Sequence, residues 1–137
     1  MEKIGLIITQ DKEYIIQHCL DVQELLKQTD WAKDREIHII KKSIENAICC
    51  AVIDSQKDKI VGFARAITDY ATMYYLSDVV VDEQYRKRGL GKKIVNQITA
   101  MKEELVGKYG ILITKDAQGL YSQYGFEEYP YHCMCKF

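Results

Sequence analysis

The sequence predicts one domain, residues 1–137, of the α/β (α+β) class, with a mixed, mostly antiparallel central sheet and helices on both faces. The chain has 137 residues, 47% of them hydrophobic, which suits a single core. Some apolar residues form short continuous runs that are typical of strands, and other apolar residues recur every three or four positions, as in helices. A strand, a helix and a strand between residues 73 and 114 predict a right-handed crossover that joins two parallel neighbours.

The first predicted element is a strand at residues 4–9, "IGLIIT". Apolar residues recur at helical spacing between residues 12 and 28 and predict a helix there, in one piece or two. They are Ile15, Cys19, Val22, Leu25 and Leu26. A second short helix is predicted from isoleucines spaced three and four residues apart. These are Ile37, Ile40 and Ile44.

Three β-rich runs follow, at residues 47–54, 60–68 and 73–81. The first two are separated by "SQKDK", a polar loop of hairpin length. We therefore expect an antiparallel meander in the middle of the chain.

The apolar period changes after Gly89, where intervals of four, three and four residues predict an amphipathic helix that packs one stripe on the sheet. The residues concerned are Ile94, Ile98, Met101 and Leu105. Residues 110–114, "GILIT", predict a buried strand, and residues 115–124 predict a short helix stopped by Gly125. The alternating segment 131–137, "YHCMCKF", predicts a terminal strand.

Charge and composition exclude several classes of partner. The formal net charge of −1 and a pI near 6.3 provide no field that would draw the chain onto nucleic acid or an anionic membrane. Only about five apolar residues run together near the N-terminus, too few for a signal peptide or a span, so a cytoplasmic protein is expected. The five cysteines lack paired spacing, which predicts buried thiols and no metal site.

A glycine turn is the most informative segment of the sequence. Residues 79–94, "VVVDEQYRKRGLGKKI", place five cations around a Gly-x-Gly between a predicted strand and a predicted helix. The first N–H groups of a helix lack internal partners and carry the positive end of its dipole, so they can bind an anion. The spacing fits neither a Walker A loop nor a dinucleotide fingerprint, whose third glycine position is Ile94 here.

Two motifs resemble the GNAT family of N-acetyltransferases. The sequence "RKRGLG" matches the coenzyme A signature [RQ]-x-x-G-x-[GA], with Arg86, Gly89 and Gly91 at its fixed positions. Farther on, "LYSQYGF" resembles the family's "LYxxxGF", and it follows an apolar strand as it does in the family. The resemblance covers the C-terminal half in sequence and the N-terminal half in element order.

The resemblance implies that acetyl-CoA is the cosubstrate, without a metal. Its diphosphate would lie on backbone N–H groups of residues 87–92, beside one or two of the five cations. Its pantetheine arm would occupy a V-shaped gap between residues 76–81 and 110–114. Many members have an asparagine at the position of Thr114 that contacts this arm. The implied coenzyme-binding residues are Val79, Val80, Val81, Arg86, Lys87, Arg88, Gly89, Leu90, Gly91, Lys92 and Thr114.

Two residues are predicted to act in catalysis. Tyr121 stands where the family often has a tyrosine that protonates the departing thiolate, and phenol and thiol pKa values of about 10 and 8.5 suit that transfer. Asp78 is the first candidate for the base that deprotonates the amine, because a carboxylate within an apolar strand is costly unless it is functional or paired. Asp69 and Asp116 are the other candidates for the base. The alternative for Asp78 is a structural hydrogen bond to Arg65 or to a tyrosine.

The acceptor pocket is expected on the side that the family lines with its helix connection and third strand. The candidates are Trp31, Arg35, Arg65 and Tyr70. Arg35 would favour an acceptor that carries a carboxylate.

The predicted function is direct transfer of acetyl from acetyl-CoA to a primary amine of a small molecule or peptide, in a ternary complex. The alternative is a non-catalytic acyl-CoA-binding or sensing module. A homodimer paired through the terminal strand is a further expectation.

Overall fold

The structure, a computed structural model, describes residues 5–100, 105 and 109–137. Five strands form one sheet in the order β1-β2-β3-β4-β5. The elements are β1 (Leu6–Thr9), α1 (Lys12–Gln17), α2 (Cys19–Leu26), α3 (Ile37–Glu45), β2 (Ile48–Asp54), β3 (Lys59–Thr68), β4 (Met73–Val81), a 3-10 turn (Glu83–Tyr85), α4 (Leu90–Thr99), β5 (Tyr109–Ile111) and α5 (Gln118–Ser122).

The helical pattern between residues 12 and 28 forms two helices. Asp11 begins α1, because its carboxylate accepts the backbone N–H groups of Glu13 and Tyr14 at 3.1 and 3.3 Å. His18 ends α1 and directly precedes α2. The predicted helical segment is therefore confirmed, and of the two alternatives left open the structure has two pieces.

The middle of the chain forms the expected meander. Strands β1 to β4 pair antiparallel with their sequence neighbours, and β4 pairs parallel with β5. Helix α4 lies between β4 and β5 in the chain, so the predicted crossover between two parallel neighbours is confirmed, and its right-handedness stays a prediction. The mixed α/β class with a mostly antiparallel sheet is confirmed with it.

Two hydrophobic clusters lie on opposite faces of the sheet. Helices α1, α2 and α3 cover one face through Ile15, Val22, Leu25, Leu26, Ile40 and Ile44. Helix α4 covers the other face through Leu90, Ile94 and Ile98. Each fully buried aliphatic side chain of this size contributes roughly 1.5–3 kcal/mol through removal of apolar surface from water. Leu105 of the predicted stripe is also buried, and Met101 lies outside the described residues.

The end of the sheet differs from the prediction. Strand β5 has only three residues, and Ile111 and Ile113 are 37% and 60% exposed. The strand predicted at residues 110–114 is therefore shorter and more exposed than expected. A short apolar run does not by itself distinguish a central strand from an edge strand. The helix predicted at residues 115–124 is shorter, Gln118–Ser122, and Gly125 follows it with a φ of 89°.

The predicted terminal strand at residues 131–137 is wrong. The segment is irregular and exposed, and Met134 is 92% accessible to solvent. Alternation identifies a segment that can form a strand, but a strand also requires a neighbour for its N–H and C=O groups. Within the described part of the chain this segment pairs with no strand.

Candidate active site

The outer edge of β4 is open over its second half. Pairing between β4 and β5 ends at Tyr75 and Ile111, so residues 76–81 have no strand partner on that side within the described ranges. The chain after Ile111 continues without strand structure to Thr114. The two segments therefore separate at the position where the sequence predicts a V-shaped gap.

A β-bulge lies in the open half of β4. Val80 pairs with Phe63 and Ser77 with Arg65, so two residues of β4 stand against one residue of β3. Asp78 is one of those two and has a φ of 54°, a left-handed conformation that is uncommon outside glycine and that aspartate tolerates better than most residues. Bulges of this kind are frequent beside active sites, where they redirect a side chain.

The three valines of β4 divide between the two faces of the sheet. Val80 packs in the cluster under α1–α3, and Val79 and Val81 pack against the cluster under α4. Any backbone donors to a bound thioester would come from the same open edge. The coenzyme contacts of these valines stay a prediction.

Four predicted site residues contribute to a polar cluster at the bulge, and Asp78 is its centre. Arg35 Nη1 and Arg65 Nε donate to the same carboxylate oxygen, Asp78 Oδ2, at 2.6 and 2.7 Å. Trp31 Nε1 donates to the other oxygen at 3.1 Å. The Asp78 side chain is 1% exposed, so its charge is balanced inside the protein and not by water.

This environment is unfavourable for a general base. Burial by itself would raise the pKa of Asp78, but the Arg65 and Arg35 guanidiniums together lower it by more, and the net pKa lies below its ordinary value. The carboxylate is therefore ionised and weakly basic at neutral pH. The structure supports the alternative, a structural hydrogen bond to Arg65, and does not support the base role predicted for Asp78.

Tyr70 is not part of the cluster. It lies in the turn between β3 and β4 and is 57% exposed, and no hydrogen bond among the described residues joins it to the Asp78 side chain. Asp69 organises this turn by accepting the backbone N–H groups of Ala71 and Thr72 at 2.9 and 2.8 Å. The turn follows the Thr68–Tyr74 pair, three residue pairs beyond the Arg65–Ser77 pair at the bulge, and the placement of Tyr70 in the acceptor pocket stays a prediction.

The glycine turn has the geometry of an anion site. Lys87 and Gly89 both have positive φ angles, 66° and 76°, and Leu90 begins α4 immediately afterwards. The first backbone hydrogen bond within α4 is donated by Lys93 to Gly89, at 3.1 Å. The N–H groups of Leu90, Gly91 and Lys92 precede that bond and have no partner inside the helix.

The space above this turn is open. A Cβ placed on Gly89 or Gly91 would meet no atom within 4 Å. The left-handed φ explains the glycine at position 89. At position 91 packing within the protein does not explain it, whereas the close approach of a ligand to the backbone would. The turn therefore fits a diphosphate.

Two of the five cations are held by the protein. Arg86 Nε donates at 2.9 Å to the carbonyl of Val81, the last residue of β4. The Arg88 guanidinium lies 5.1 Å from the centre of the Tyr85 ring, whose hydroxyl donates to the buried Asp54 at 2.6 Å. The remaining three, Lys87, Lys92 and Lys93, are exposed.

Tyr121 and Tyr124 of the second motif have different surroundings. Tyr121 is half-buried, contacts the edge of the Phe126 ring with centroids 6.1 Å apart, and packs against the same cluster as Val79. Burial raises its pKa, so its hydroxyl is protonated at neutral pH. Tyr124 instead donates to the Lys92 carbonyl at 3.1 Å and ties the segment after α5 to the first turn of α4.

Sequence reasoning missed the hydrogen bond from Tyr124 to Lys92, because no local pattern connects residues 32 positions apart. It also missed the bulge at Asp78, for which the sequence carries no signal other than an aspartate within an apolar strand. Thr114 stabilises the turn before α5, since its Oγ1 accepts the Ala117 N–H at 3.0 Å. The role of Thr114 toward the pantetheine arm stays a prediction.

The five cysteines differ in exposure, and Cys19 is partly buried. Cys49 and Cys50 are buried as predicted, and burial raises the pKa of each thiol to about 12. Cys133 and Cys135 are exposed, which corrects the prediction of buried thiols for these two. Across residues 5–100, 105 and 109–137 there is no group of three or more metal-ligating side chains. No helix in that part of the chain has the length and apolarity to cross a membrane.

Comparisons with known proteins agree with this architecture. The family model described as acetyltransferase (GNAT) domain matches residues 45–128. A solved structure from Xanthomonas campestris pv. campestris, assigned to the GNAT family, is similar with a TM-score of 0.80 and 34% identity, over 92% of this chain and 87% of that one. The chain belongs to the GNAT acetyltransferase family.

Two curated relatives give the same class. GCN5-related N-acetyltransferase 2, chloroplastic, from Arabidopsis thaliana is 30% identical over 69% of this chain and 38% of the relative. The uncharacterized N-acetyltransferase ycf52 of Pyropia yezoensis is 26% identical over 80% of this chain and 65% of the relative. The match thus spans less than two thirds of either relative. Acetyl transfer is the reaction that these similarities support.

Proposed function

We propose that this chain is an acetyl-CoA-dependent N-acetyltransferase that acts on a primary amine of a small molecule or peptide by direct attack in a ternary complex. The observation that carries the proposal is the open edge of β4 at residues 76–81, followed after one 3-10 turn by the left-handed glycine turn and α4. An anion on the turn would place the rest of an extended ligand along that edge.

Binding would use backbone groups more than side chains. The unpartnered N–H groups at the start of α4 would hold the diphosphate, and the exposed lysines of the turn, Lys87 and Lys92, would add charge. The open amides of β4 would pair with the amides of the pantetheine arm, as an added strand pairs with a sheet edge. The bound thioester supplies the acetyl group.

The reaction forms a C–N bond and breaks the C–S bond, so one proton leaves the amine and one proton reaches the sulfur. The Tyr121 hydroxyl is the proposed donor to the sulfur, because it is protonated, half-buried and packed against the cluster that includes Val79. The amine proton passes to water, since the paired Asp78 carboxylate is a weak acceptor. A free alkylamine has a pKa of about 10.4, so the rate rises with pH as more of it becomes neutral.

The test is thiol release from acetyl-CoA with a panel of amines, comparing the native chain with Tyr121→Phe. Loss of the hydroxyl should lower kcat about a hundredfold, in the usual range for a general acid, and leave coenzyme A affinity unchanged. The ring contact with Phe126 is retained, so folding is preserved. Tyr124→Phe is the matched control: it removes a hydroxyl bonded to Lys92 outside the proposed chemistry and should lower kcat less than threefold, a change of under about 1 kcal/mol.

Two results would contradict the proposal. Coenzyme A binding without thiol release for every amine would indicate the non-catalytic acyl-CoA-binding module. If Tyr121→Phe and Tyr124→Phe lowered kcat by the same factor, Tyr121 would not be the proton donor to the sulfur.

A further inference from the structure

The arginine pair at the bulge retains unused hydrogen-bonding capacity. A guanidinium has five N–H donors. Arg35 uses Nη1 and Arg65 uses Nε, both toward Asp78, and neither side chain makes another hydrogen bond to the described residues. Their side chains are only 22% and 12% exposed, so water has limited access to the remaining donors. Buried donors without acceptors are costly, which favours a ligand that supplies acceptors.

The charges of the cluster do not balance. One carboxylate faces two guanidiniums, which leaves a net charge of +1 in a largely buried site. Buried charge is stable when it is paired, and an incoming monoanion would complete the pairing. Within the described part of the chain, Asp78 is the only acidic group in contact with either arginine.

Trp31 adds an apolar wall to the same cluster. Its indole N–H donates to Asp78 at 3.1 Å, yet the residue is 61% exposed. The ring is thus held in one place with much of its surface in solvent. An exposed tryptophan beside a cationic group is a favourable contact surface for the carbon skeleton of a small ligand.

We propose that the acceptor is a small primary amine that also carries a carboxylate, bound by the Arg35–Arg65 pair with its carbon skeleton on Trp31. This inference rests on the proposed function and specifies its acceptor. The cluster adjoins the open edge of β4, because Asp78 directly precedes Val79, so an amine anchored at the arginines would lie near the acetyl group. Asp78 acts as a positioning residue that holds both guanidiniums.

The charge favours a carboxylate over a phosphate. A carboxylate carries one negative charge and matches the planar fork of a guanidinium with two oxygens. A phosphate monoester carries about −1.5 to −2 at neutral pH, which exceeds the net charge of the cluster. Phosphate-bearing amines are therefore a separate arm of the test.

The substrate experiment uses pairs of amines that differ only in the anionic group. Each of several amino acids is compared with its carboxamide in the acetyl-CoA thiol-release assay, together with 2-aminoethyl phosphate. We expect kcat/KM to be about 10- to 100-fold higher for the acid than for its amide, the range of a charged hydrogen-bonded contact. The α-amine of the carboxamide is less basic than that of the acid, so more of it is neutral and nucleophilic at neutral pH. Amine reactivity alone would therefore favour the carboxamide over the acid.

The variant experiment isolates Arg35. Arg35→Gln should bring the acid-to-amide ratio of kcat/KM about tenfold closer to one, mainly through KM, and Arg35→Lys should give an intermediate ratio because it keeps charge without the fork. Lys33→Gln removes an exposed cation from the same loop and should leave the ratio unchanged. Thermal unfolding of each variant checks that the fold persists.

A direct binding measurement separates this inference from the proposed function. Calorimetry in the presence of coenzyme A compares each acid with its amide, whether or not either is acetylated. Tighter binding of the acid that depends on Arg35 supports the inference even without turnover. Equal binding of acid and amide, a preference for 2-aminoethyl phosphate, or an unchanged ratio in Arg35→Gln overturns it, and acetylation of other amines would then leave the proposed function standing.

Discussion

Asp78 is a buried carboxylate to which three side chains donate, two from the α2–α3 connection and one from β3. Arg35 precedes α3, Arg65 lies on β3 and Trp31 follows α2, and all three donate to its two oxygens. Removing one partner from a buried ion pair usually costs about 3–5 kcal/mol, because the remaining charges are left without compensation. The same residue has a left-handed backbone, so both its conformation and its charge depend on the surrounding fold.

We predict that Asp78→Asn lowers the free energy of unfolding by about 3–5 kcal/mol, because two guanidiniums would then face a neutral amide. Urea denaturation measures the change. Asp34→Asn, at an exposed carboxylate near Arg35, is the control and should change stability by less than about 0.5 kcal/mol. A loss below about 1 kcal/mol for Asp78→Asn would show that the arginines are compensated by other groups.

At the start of α4, the residue that the fold requires differs from the residue that would affect only a bound ligand. Gly89 is required by its own backbone, since its φ of 76° would cost another residue roughly 1–2 kcal/mol. Gly91 faces open space and has no such backbone requirement. A side chain at position 91 should therefore affect a ligand and not the fold.

We predict that Gly91→Leu leaves the free energy of unfolding unchanged or raises it by up to about 1 kcal/mol, because leucine is a better helix former than glycine. Its affinity for coenzyme A should fall about ten- to a hundredfold, since the side chain would fill the space above the turn. Gly91→Ala is the control: the signature admits alanine there, and affinity should stay within about threefold. Calorimetry and urea denaturation provide the two measurements. Native affinity in Gly91→Leu would place the diphosphate elsewhere.

At the scale of the whole molecule, four carboxylates among the described residues have a pKa below the ordinary value: Asp54, Asp58, Asp69 and Asp78. Asp54 accepts the Tyr85 hydroxyl, which lowers its pKa. Asp69 accepts the Thr72 hydroxyl and backbone, with the same effect. At Asp78 the guanidiniums outweigh burial. These groups bind protons less readily in the folded state than in the unfolded state.

The sign of the pH dependence follows. The stabilisation is complete above the unfolded pKa of about 3.9 and is lost as the pH falls below it toward the lowered folded values. We predict a thermal midpoint that is nearly constant from pH 7 to 5 and drops steeply below pH 4. Asp69→Asn should flatten this drop, whereas Asp116→Asn, at an exposed carboxylate without a hydrogen bond in the described structure, should not. An unchanged acid slope in Asp69→Asn would contradict the assignment.

Periodicity in the sequence was sufficient for most of the fold. The isoleucines of α3 and α4 recur at helical spacing, and the meander strands carry β-branched residues at the predicted places. Such patterns report which residues of one element share a face, and that face must be buried. The terminal segment 131–137 shows the limit, because its alternation implies a strand but does not provide a neighbour to pair with.

The sequence by itself determined the order of the elements from β1 to α5, the two-sided core and the glycine turn, because each depends on residues that are close together in the chain. Only the tertiary structure decided that Asp78 is paired and not free, that Tyr124 holds the first turn of α4, and that residues 76–81 have an open edge. These features depend on atoms that are distant in sequence, and their charge, burial and pairing exist only after the chain has folded.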